Sequence, residues 1–353
     1  MKIAITADVH LTSREKNPER FHALENILEQ LVTLKIDNLI IAGDLFDATC
    51  KDPGVFEQLI KKEKYSQITF YIIPGNHDPV LSQGTFVMQN IKYLTETQLI
   101  KFSKDANFLL LPYTPGTSIG EALASFPGTL ASGAWFLVAH GDNLESTRLR
   151  NNYESGLYMP LSGRDIQLYK PKKVFLGHIH VKMDSEIVHY PGSPCGLDPT
   201  EIGIRSFLVY DISDGKVERI PVETDVIYLQ ELITVLPMQD EETYIKQLLT
   251  KKITAWNLDE NQKMKARVRI KTQGYSTNRE KISKTIKETM DQYQYTLGEP
   301  PDLSKLMLSA DVMRADIASA VQARILELGL VEDPDEPTKD EYILSAMNQI
   351  YKG

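Results

Sequence analysis

“NLIIAGDLFD” (residues 38–47) begins with an apolar run that ends at Gly43, and two carboxylates follow, Asp44 directly and Asp47 three residues later. The run is too short for a buried helix, so it predicts a strand that is covered on both faces. The carboxylates then lie in the loop at the carboxyl end of that strand. Such loops carry the binding groups of open α/β sheets. The stretch therefore predicts an α/β fold and the location of its site.

Four other stretches repeat this arrangement of a short apolar run and a polar cluster: “KIAITADVH” (2–10), “TFYIIPGNHD” (69–78), “WFLVAHGDN” (135–143) and “KVFLGHIH” (173–180). Residues 18–37, between the first two predicted strands, place apolar side chains at helical spacing after Pro18, which predicts a β-α-β unit. Another helix is predicted from Val55 to about Lys62, and “DISDGKVERI” (211–220) predicts a hairpin with an Asp-Gly turn.

The pattern ends near residue 225, and the remainder predicts a smaller α+β domain and a helical tail. Helices are predicted over about 241–253, 278–293 and 309–329, and a capping box at Thr338–Glu341 predicts a last helix. “KARVRIKTQG” (265–274) predicts a strand with one apolar face and one basic face, the latter formed by Lys265, Arg267, Arg269 and Lys271. We expect three segments: 1–222, 223–298 and 299–353.

Composition and charge exclude several classes of protein. Hydrophobic residues at 42% and charged residues at 25% are typical of a folded chain and not of a disordered one. The first apolar run is too short for a signal peptide or a membrane span, and Cys50 and Cys195 are too few for a disulfide framework. We therefore expect a cytoplasmic protein that does not bind a membrane.

The net charge of −9 argues against bulk attraction to nucleic acid, but the charge is unevenly distributed. Residues 243–298 hold 12 Lys and Arg against 5 Asp and Glu. This basic segment is where a phosphate backbone would be bound, and the basic face of residues 265–271 is the candidate DNA contact. A solvated face of the smaller domain explains the same charges.

Histidine, aspartate and asparagine side chains follow the five predicted strands. Five histidines lie in these clusters together with six other polar residues: His10, His77, His140, His178 and His180, and Asp8, Asp44, Asp47, Asn76, Asp78 and Asp142. Imidazole and carboxylate without thiolate suit manganese, iron or zinc, and one ion cannot use so many ligands. Two ions about 3.5–4 Å apart can hold the phosphoryl oxygens during hydrolysis of a phosphate ester.

Each cluster taken alone has a simpler explanation. “DVH” could form a helix-capping turn, the Gly-Asp of “GDLFD” is ordinary turn chemistry, and His140 could be a hydrogen-bonded core histidine. His22 and His189 lie outside the clusters, and we predict that both are core histidines of this ordinary kind. Five clusters in one order, each at a strand end, favour a phosphoesterase with two metal ions.

The series “DVH”, “GDLFD”, “GNHD”, “HGD” and “GHIH” resembles the calcineurin-like metallophosphoesterase superfamily, and “GHIH” followed by “YPGSP” (190–194) is similar to the SbcD-type DNA repair nucleases. The resemblance covers residues 1 to about 212 closely. It implies a four-layer α/β/β/α sandwich of two mixed sheets, with a smaller α+β capping domain and a helical C-terminal tail.

The resemblance also implies roles for the polar residues. One metal ion would be surrounded by Asp8, His10, Asp44 and His180, and the other by Asp44, Asn76, His140 and His178. Asp44 would bridge the ions, and manganese is the usual metal. His77 and Asp47 are the predicted catalytic residues, with His77 near the phosphate and the leaving oxygen. Archaeal and eukaryotic relatives tend to carry histidine at the position of Asp47, whereas bacterial relatives carry aspartate.

The implied activity is a double-strand 3′-5′ exonuclease and a hairpin or single-strand endonuclease for DNA repair or recombination. The implied partners are DNA and an SbcC-type ABC ATPase with coiled coils, which the C-terminal helices would contact; a homodimer is also open. An amphipathic last helix could equally pack on its own domain. Two other functions remain open: a phosphoesterase for a small nucleotide or a phosphoprotein, and a non-catalytic scaffold subunit with a phosphoesterase fold.

Overall fold

The structure is a computed structural model. It describes residues 1–50, 52–82, 84–104, 106–126, 130, 135–145, 156–235, 240–309, 314–328, 337 and 339–352. The chain divides into two compact units, Met1–Asp225 and Val226–Gly353, which we call the N-terminal and the C-terminal unit. The predicted division into functional segments at residues 222 and 298 stays a prediction.

The N-terminal unit is built from short strands and four α-helices among its described residues. Its strands are β1 (Lys2–Thr6), β2 (Asn38–Ala42), β3 (Thr69–Ile73), β4 (Ile91–Tyr93), β5 (Gln98–Ser103), β6 (Ala106–Leu110), β7 (Trp135–His140), β8 (Lys173–Gly177), β9 (Met183–Asp184), β10 (Val188–Tyr190), β11 (Ser206–Asp211) and β12 (Lys216–Pro221). Its helices are α1 (Pro18–Leu34), α2 (Gly54–Ile60), α3 (Ile119–Ala124) and α4 (Gly163–Tyr169), with a 3₁₀ turn at Glu63–Tyr65.

These strands form two mixed sheets. The first has the order β12-β11-β1-β2-β3-β4, in which β1 to β4 are parallel while β11 and β12 are antiparallel. The second has the order β5-β6-β7-β8-β10-β9, with a parallel centre from β6 to β10 and antiparallel edges. The parallel strands of each sheet end at one edge, and the polar clusters follow those ends.

The strand β1 shows how the layers are packed. Ile3 and Ile5 point to one side, into a core between the two sheets that includes Phe108. Ala4 points to the other side, into a core that α1 covers with Leu28. A third core lies under α3 and α4 on the second sheet. The predicted four-layer α/β/β/α sandwich is confirmed.

Helix α1 forms because its apolar residues recur on one face, and that face is buried through Phe21, Leu24, Ile27, Leu28 and Leu31. Pro18 stands in its first turn, where the missing N–H costs no hydrogen bond. The helix ends at Leu34, after which Lys35 adopts a left-handed backbone with φ 54°. The predicted β-α-β unit and the predicted hairpin of β11 and β12 are both confirmed.

The C-terminal unit holds a sheet in which β14 pairs in parallel with β13 on one side and with β15 and β16 on the other. Its elements are β13 (Ile227–Val235), α5 (Glu241–Ala255), α6 (Glu260–Lys265), β14 (Ala266–Ser276), α7 (Arg279–Gln292), β15 (Thr296–Leu297), β16 (Asp302–Leu308), α8 (Ala315–Glu327) and α9 (Lys339–Lys352). The helices α5 and α7 bury the apolar face of β14. Among the described residues, no helix is both long and apolar enough to cross a membrane.

The structure changes the start of one predicted strand of this unit and describes two predicted helices only in part. Lys265 is the last residue of α6 and not part of the strand, because a capping box at Asp259 starts a short helix there. The helix predicted over 309–329 is described only as α8, since Ser309 is not helical and residues 310–313 and 329 lie outside the described residues. Thr338 of the predicted capping box also lies outside them.

Candidate metal centre

The seven predicted ligands follow the carboxyl ends of strands from both sheets. Asp8 and His10 follow β1, Asp44 follows β2, Asn76 follows β3, His140 ends β7, and His178 and His180 follow β8. Five of the seven are almost completely buried: Asp8, His10, Asp44, His140 and His178. The sandwich therefore brings together side chains that are as much as 172 positions apart in the sequence.

Four of these ligands have a backbone conformation that side chains disfavour, with φ between 51° and 91°: Asp8, His10, Asp44 and His178. A left-handed residue other than glycine is uncommon and costs conformational energy. The surrounding packing holds the backbone there, and such strain is typical of functional sites.

Glycine is required where strands approach the site. A Cβ on Gly177 would lie 2.0 Å from the carbonyl oxygen of Ala42 and 2.7 Å from Nδ1 of His140. A Cβ on Gly43 would lie 2.1 Å from the same imidazole nitrogen. The two glycines thus leave the space that His140 occupies, which explains the Gly before the polar residues in “GDLFD” and “GHIH”.

The first group of possible ligands consists of Asp8, His10 and His180, whose ligand atoms all lie within 4.8 Å of one another. Nε2 of His10 lies 3.1 Å from Nε2 of His180, so the two imidazoles point at the same space. One oxygen of Asp8, Oδ2, is buried without a hydrogen-bond partner among the described residues. A cation between these atoms would satisfy that oxygen, so the residues fit a metal ion.

The second group consists of Asp8, Asp44 and His140. The amide oxygen of Asn76 joins it, lying 2.9 Å from Nε2 of His140 and 3.2 Å from Nδ1 of His178. The other nitrogen of His140, Nδ1, hydrogen-bonds to the carbonyl of Ala42 at 2.9 Å. This bond fixes the ring and leaves Nε2 for a metal.

Two carboxylates lie between the groups. Asp8 belongs to both groups by distance, whereas the resemblance implies Asp44 as the bridge. Oδ2 of Asp44 lies 3.6 Å from Nε2 of His10 and 3.3 Å from Nε2 of His140, one from each group. Either carboxylate thus reaches both sides, and the bridging role of Asp44 stays a prediction.

Burial and neighbouring charges set the protonation of the site without metal. Burial raises the pKa of Asp8 to about 6, against the influence of His180 and His140. Burial also disfavours the charge on Asp44, but the imidazoles of His140, His10 and His77 together outweigh it and hold the pKa of Asp44 well below its usual range. Two buried carboxylates so close together repel each other unless cations lie between them.

The pKa values of His10 and His140 shift in opposite directions. Burial lowers the pKa of His10 to about 3, outweighing the nearby Asp44, so this ring is a neutral ligand at neutral pH. For His140, burial acts in the same direction, but Asp44 and Asp8 outweigh it and raise the pKa to about 9. A metal ion would have to displace that proton before His140 could bind it.

The two predicted catalytic residues lie at different places. The backbone N–H of His77 donates to Oδ1 of Asp44 at 2.8 Å, and its ring centroid is 5.0 Å from that of His10, at the edge of the ligand cluster. Asp47 accepts hydrogen bonds from Arg20 at 3.2 Å and from Thr49. Among the described residues Asp47 bonds to no predicted ligand, and the roles of both residues stay predictions.

The remaining predicted residues belong to neither ligand group. The candidate DNA contacts belong to the C-terminal unit: Lys265, Arg267, Arg269 and Lys271. His189 is buried and bonds Asp184 at 2.7 Å, as predicted for a core histidine. The same prediction is wrong for His22, whose exposed side chain pairs with Asp225 on the surface.

Sequence reasoning missed two groups that support the site. Asp78, the last residue of “GNHD”, accepts the backbone N–H groups of Phe46 and Gly75 at 2.7 Å each and so ties two ligand loops together. Glu201 bonds Nδ1 of His180 at 2.7 Å. “YPGSP” marks the neighbourhood of Glu201 in the sequence, but no spacing connects it to a strand end.

Comparisons with known proteins show what this chain is similar to. The chain matches the family described as calcineurin-like phosphoesterase over residues 1–202. The DNA double-strand break repair protein Mre11 of Saccharolobus solfataricus is 33% identical over 109 residues, which are 29% of this chain and 28% of that protein. For Mre11 of Methanosarcina mazei the values are 33% over 86 residues, 22% of this chain and 14% of that protein. The chain therefore matches less than a third of the length of either relative. A solved archaeal phosphodiesterase matches with a TM-score of 0.33 and 17% identity, covering 63% of this chain and 99% of that one.

Proposed function

Since this chain belongs to the calcineurin-like phosphoesterase family, we propose that it is a metal-dependent DNA nuclease. It hydrolyses phosphodiester bonds as a double-strand 3′-5′ exonuclease and as an endonuclease on hairpins or single strands. Its setting is DNA repair or recombination in the cytoplasm.

The observation that carries this proposal is the convergence of imidazole and carboxylate groups in one buried place. The ligand atoms of Asp8, Asp44 and His140 lie within 4.8 Å of one another, and so do those of Asp8, His10 and His180. Families of this fold use divalent metals, and a non-catalytic scaffold would have no reason to keep a complete set of ligands. We therefore favour an enzyme over a scaffold.

The choice of DNA as substrate rests on the relatives. The two Mre11 relatives are named as DNA double-strand break repair proteins. This chain matches only part of the length of each. The basic face of β14 supports the same choice, because a phosphate backbone needs cations along its path. A small nucleotide or a phosphoprotein would not need these.

The chemistry follows from the residues of the site. Two divalent ions, which we propose to be Mn²⁺, would supply Lewis acidity towards the phosphoryl oxygens. Asp8 and Asp44 hold negative charge close to both positions, and the imidazoles of His10 and His180 add nitrogen ligands. We assign to the His77 imidazole the contact with the phosphate and the transfer of a proton to the leaving oxygen. Asp47, paired with Arg20, is the second proposed catalytic residue.

The proposed partner is an SbcC-type ABC ATPase with coiled coils, contacted by the C-terminal helices, and a homodimer is a second proposed assembly. In the described residues α8 and α9 pack against β14 through Ala318, Ile343, Met347 and Tyr275. Some apolar side chains of α8 stay exposed, among them Ile317 and Leu326. The packing of α8 and α9 within the C-terminal unit therefore leaves apolar surface that a partner could cover.

The experiment that tests the proposal compares three substrates with Mn²⁺ or with EDTA: a 3′-labelled duplex, a hairpin and an aryl phosphodiester. We expect Mn²⁺-dependent shortening of the duplex or nicking of the hairpin, both abolished in Asp44→Ala. Glu186→Gln, at an exposed residue between β9 and β10, is the control and should act like the wild type. Turnover of the aryl ester alone would contradict DNA as the substrate of the isolated chain, and no turnover of any substrate would contradict a phosphoesterase.

A further inference from the structure

Glu201 is a buried carboxylate that bonds directly to one of the metal-ligand candidates. Its side chain is 4% exposed, and Oε1 lies 2.7 Å from Nδ1 of His180. The opposite nitrogen of that ring, Nε2, lies 3.1 Å from Nε2 of His10, inside the first ligand group. With Nδ1 donating its proton to Glu201, Nε2 is the nitrogen left to bind a metal.

The second oxygen of Glu201 is held by its own donors. Oε2 accepts the hydroxyl of Ser193 at 2.7 Å and the backbone N–H of Leu197 at 3.1 Å. Ser193 in turn is held by Arg205, which donates to its carbonyl at 2.8 Å and to its hydroxyl at 2.6 Å. Glu201, Ser193 and Arg205 are all buried. The carboxylate is therefore fixed on both oxygens.

The distances separate two explanations of this buried acid. A carboxylate kept only to neutralise Arg205 would bond the guanidinium, but the closest approach of Glu201 to Arg205 is 3.6 Å, longer than its 2.7 Å contact with His180. Arg205 bonds Ser193 instead. A buried charge is costly unless it is well paired, and here the ionisable group closest to the carboxylate is the imidazole of His180.

The support of His180 differs from that of His140. His140 is fixed by a backbone carbonyl, that of Ala42, which no substitution removes. His180 is fixed by a carboxylate, which also increases the basicity of the ring and can be replaced without moving the backbone. The support of His180 can therefore be removed by substitution while the support of His140 stays in place.

We propose that Glu201 is a positioning residue of the metal centre: through its hydrogen bond to Nδ1 of His180 it fixes the tautomer and the orientation of that ring, and it sets the affinity of the Asp8–His10–His180 group for its metal ion. Ser193 and Arg205 hold Glu201 in place. This inference rests on the proposed function, because it needs the metal centre.

The test measures Mn²⁺ binding to the metal-free full chain by calorimetry, with no substrate present. The wild type should bind two ions. Glu201→Gln keeps the size of the side chain but loses its charge and accepts through only one oxygen, so we expect one ion to bind about 10- to 100-fold more weakly. The other ion should bind as before. Glu186→Gln should match the wild type, and Ser193→Ala should show a smaller loss of the same kind.

A double variant separates positioning from general stability. His180→Ala should weaken the binding of the same ion to a still measurable affinity, and adding Glu201→Gln to His180→Ala should weaken it no further, because Glu201 acts through that ring. Unchanged Mn²⁺ binding in Glu201→Gln would overturn the inference. Equal weakening of both ions together with a lower Tm would do so too, since it indicates a structural role. A wild type that binds no Mn²⁺ would overturn the proposed function as well, which distinguishes the two failures.

Discussion

His77 lies at the edge of the ligand cluster, with its backbone bound to Asp44 and its ring beside His10. We expect His77→Ala to keep both metal ions but to lose about 10²- to 10⁴-fold in turnover, because the imidazole acts on the phosphate and does not build the site. The measurement pairs elemental analysis with the rate on an aryl phosphodiester. Loss of metal from this variant would contradict the assignment.

The protonation of His140 and Asp8 predicts how Mn²⁺ binding depends on pH. Without metal, His140 keeps its proton up to its raised pKa of about 9 and Asp8 up to about 6. A metal ion must displace these protons, so affinity should rise with pH, by about tenfold per pH unit for each proton displaced. Between about pH 6 and 8, Asp8 has largely lost its proton and His140 has not. Calorimetry over this range, in buffers of different ionisation enthalpy, therefore measures mainly the proton released from His140. An affinity that does not change over this range would be the opposite result.

At the scale of single residues, the sequence predicts the candidate metal ligands but not the residues that support them. Asp44 and His178 could be found because each stands directly after an apolar run, so the strand predicts its position. Glu201 could not, because it reaches His180 from a loop whose path depends on the packing of β10 and β11. Its contact is tertiary and leaves no periodic signal in the sequence.

At the scale of elements, the alternation of basic and apolar residues in β14 predicts a row of arginines open to DNA, but both arginines already have hydrogen-bond partners. Arg269 pairs with Glu299 at 2.6 Å, and Arg267 donates to the backbone carbonyls of Met264 and Ala266. Both side chains are half-buried. A phosphate would have to compete with Glu299 for Arg269, so we expect Arg267 to contribute more to DNA binding.

The matching prediction concerns the salt dependence of DNA binding. Replacing Arg267 and Arg269 by Ala should reduce the slope of log K against log salt by about 1 to 2, since each phosphate contact contributes about 0.9. Hydrolysis of an aryl phosphodiester should not change. The control is Lys246→Ala with Lys251→Ala, which removes the same charge from α5, on the opposite face of β14. If the slope of log K against log salt is unchanged in the arginine variant, the proposed DNA contact is wrong.

Elements were predictable where one local pattern decides them. Helix α1 follows from its apolar spacing, and the hairpin of β11 and β12 from its Asp-Gly turn. The strand β13 was not predicted, because Leu232 and Ile233 interrupt the alternation that a half-buried strand would show. Its place is decided by its parallel pairing with β14 along its whole length, which is a tertiary interaction.

For the whole molecule, each unit has its own hydrophobic core, and the metal ligands all belong to the N-terminal unit. A ligand stabilises the part that binds it, by about 2.7 kcal/mol when its concentration is 100 times Kd. We expect calorimetry to show two melting transitions, of which Mn²⁺ raises one Tm and leaves the other unchanged. EDTA should reverse the shift. In Asp44→Ala the shift should be largely lost, and equal shifts of both transitions would contradict separate units.

The position of β1 inside its sheet has a consequence for synthesis of the chain. β1 lies between β2 and β11, and Lys2 pairs with Asp211. At a translation rate of about 5–20 residues per second, roughly 10 to 40 s pass before the ribosome releases that second neighbour. During this interval the nascent chain exposes one edge of β1. His140 and His180, which group with Asp8, are also synthesised later than Asp8. A chaperone that covers this edge would therefore act before any metal could be loaded.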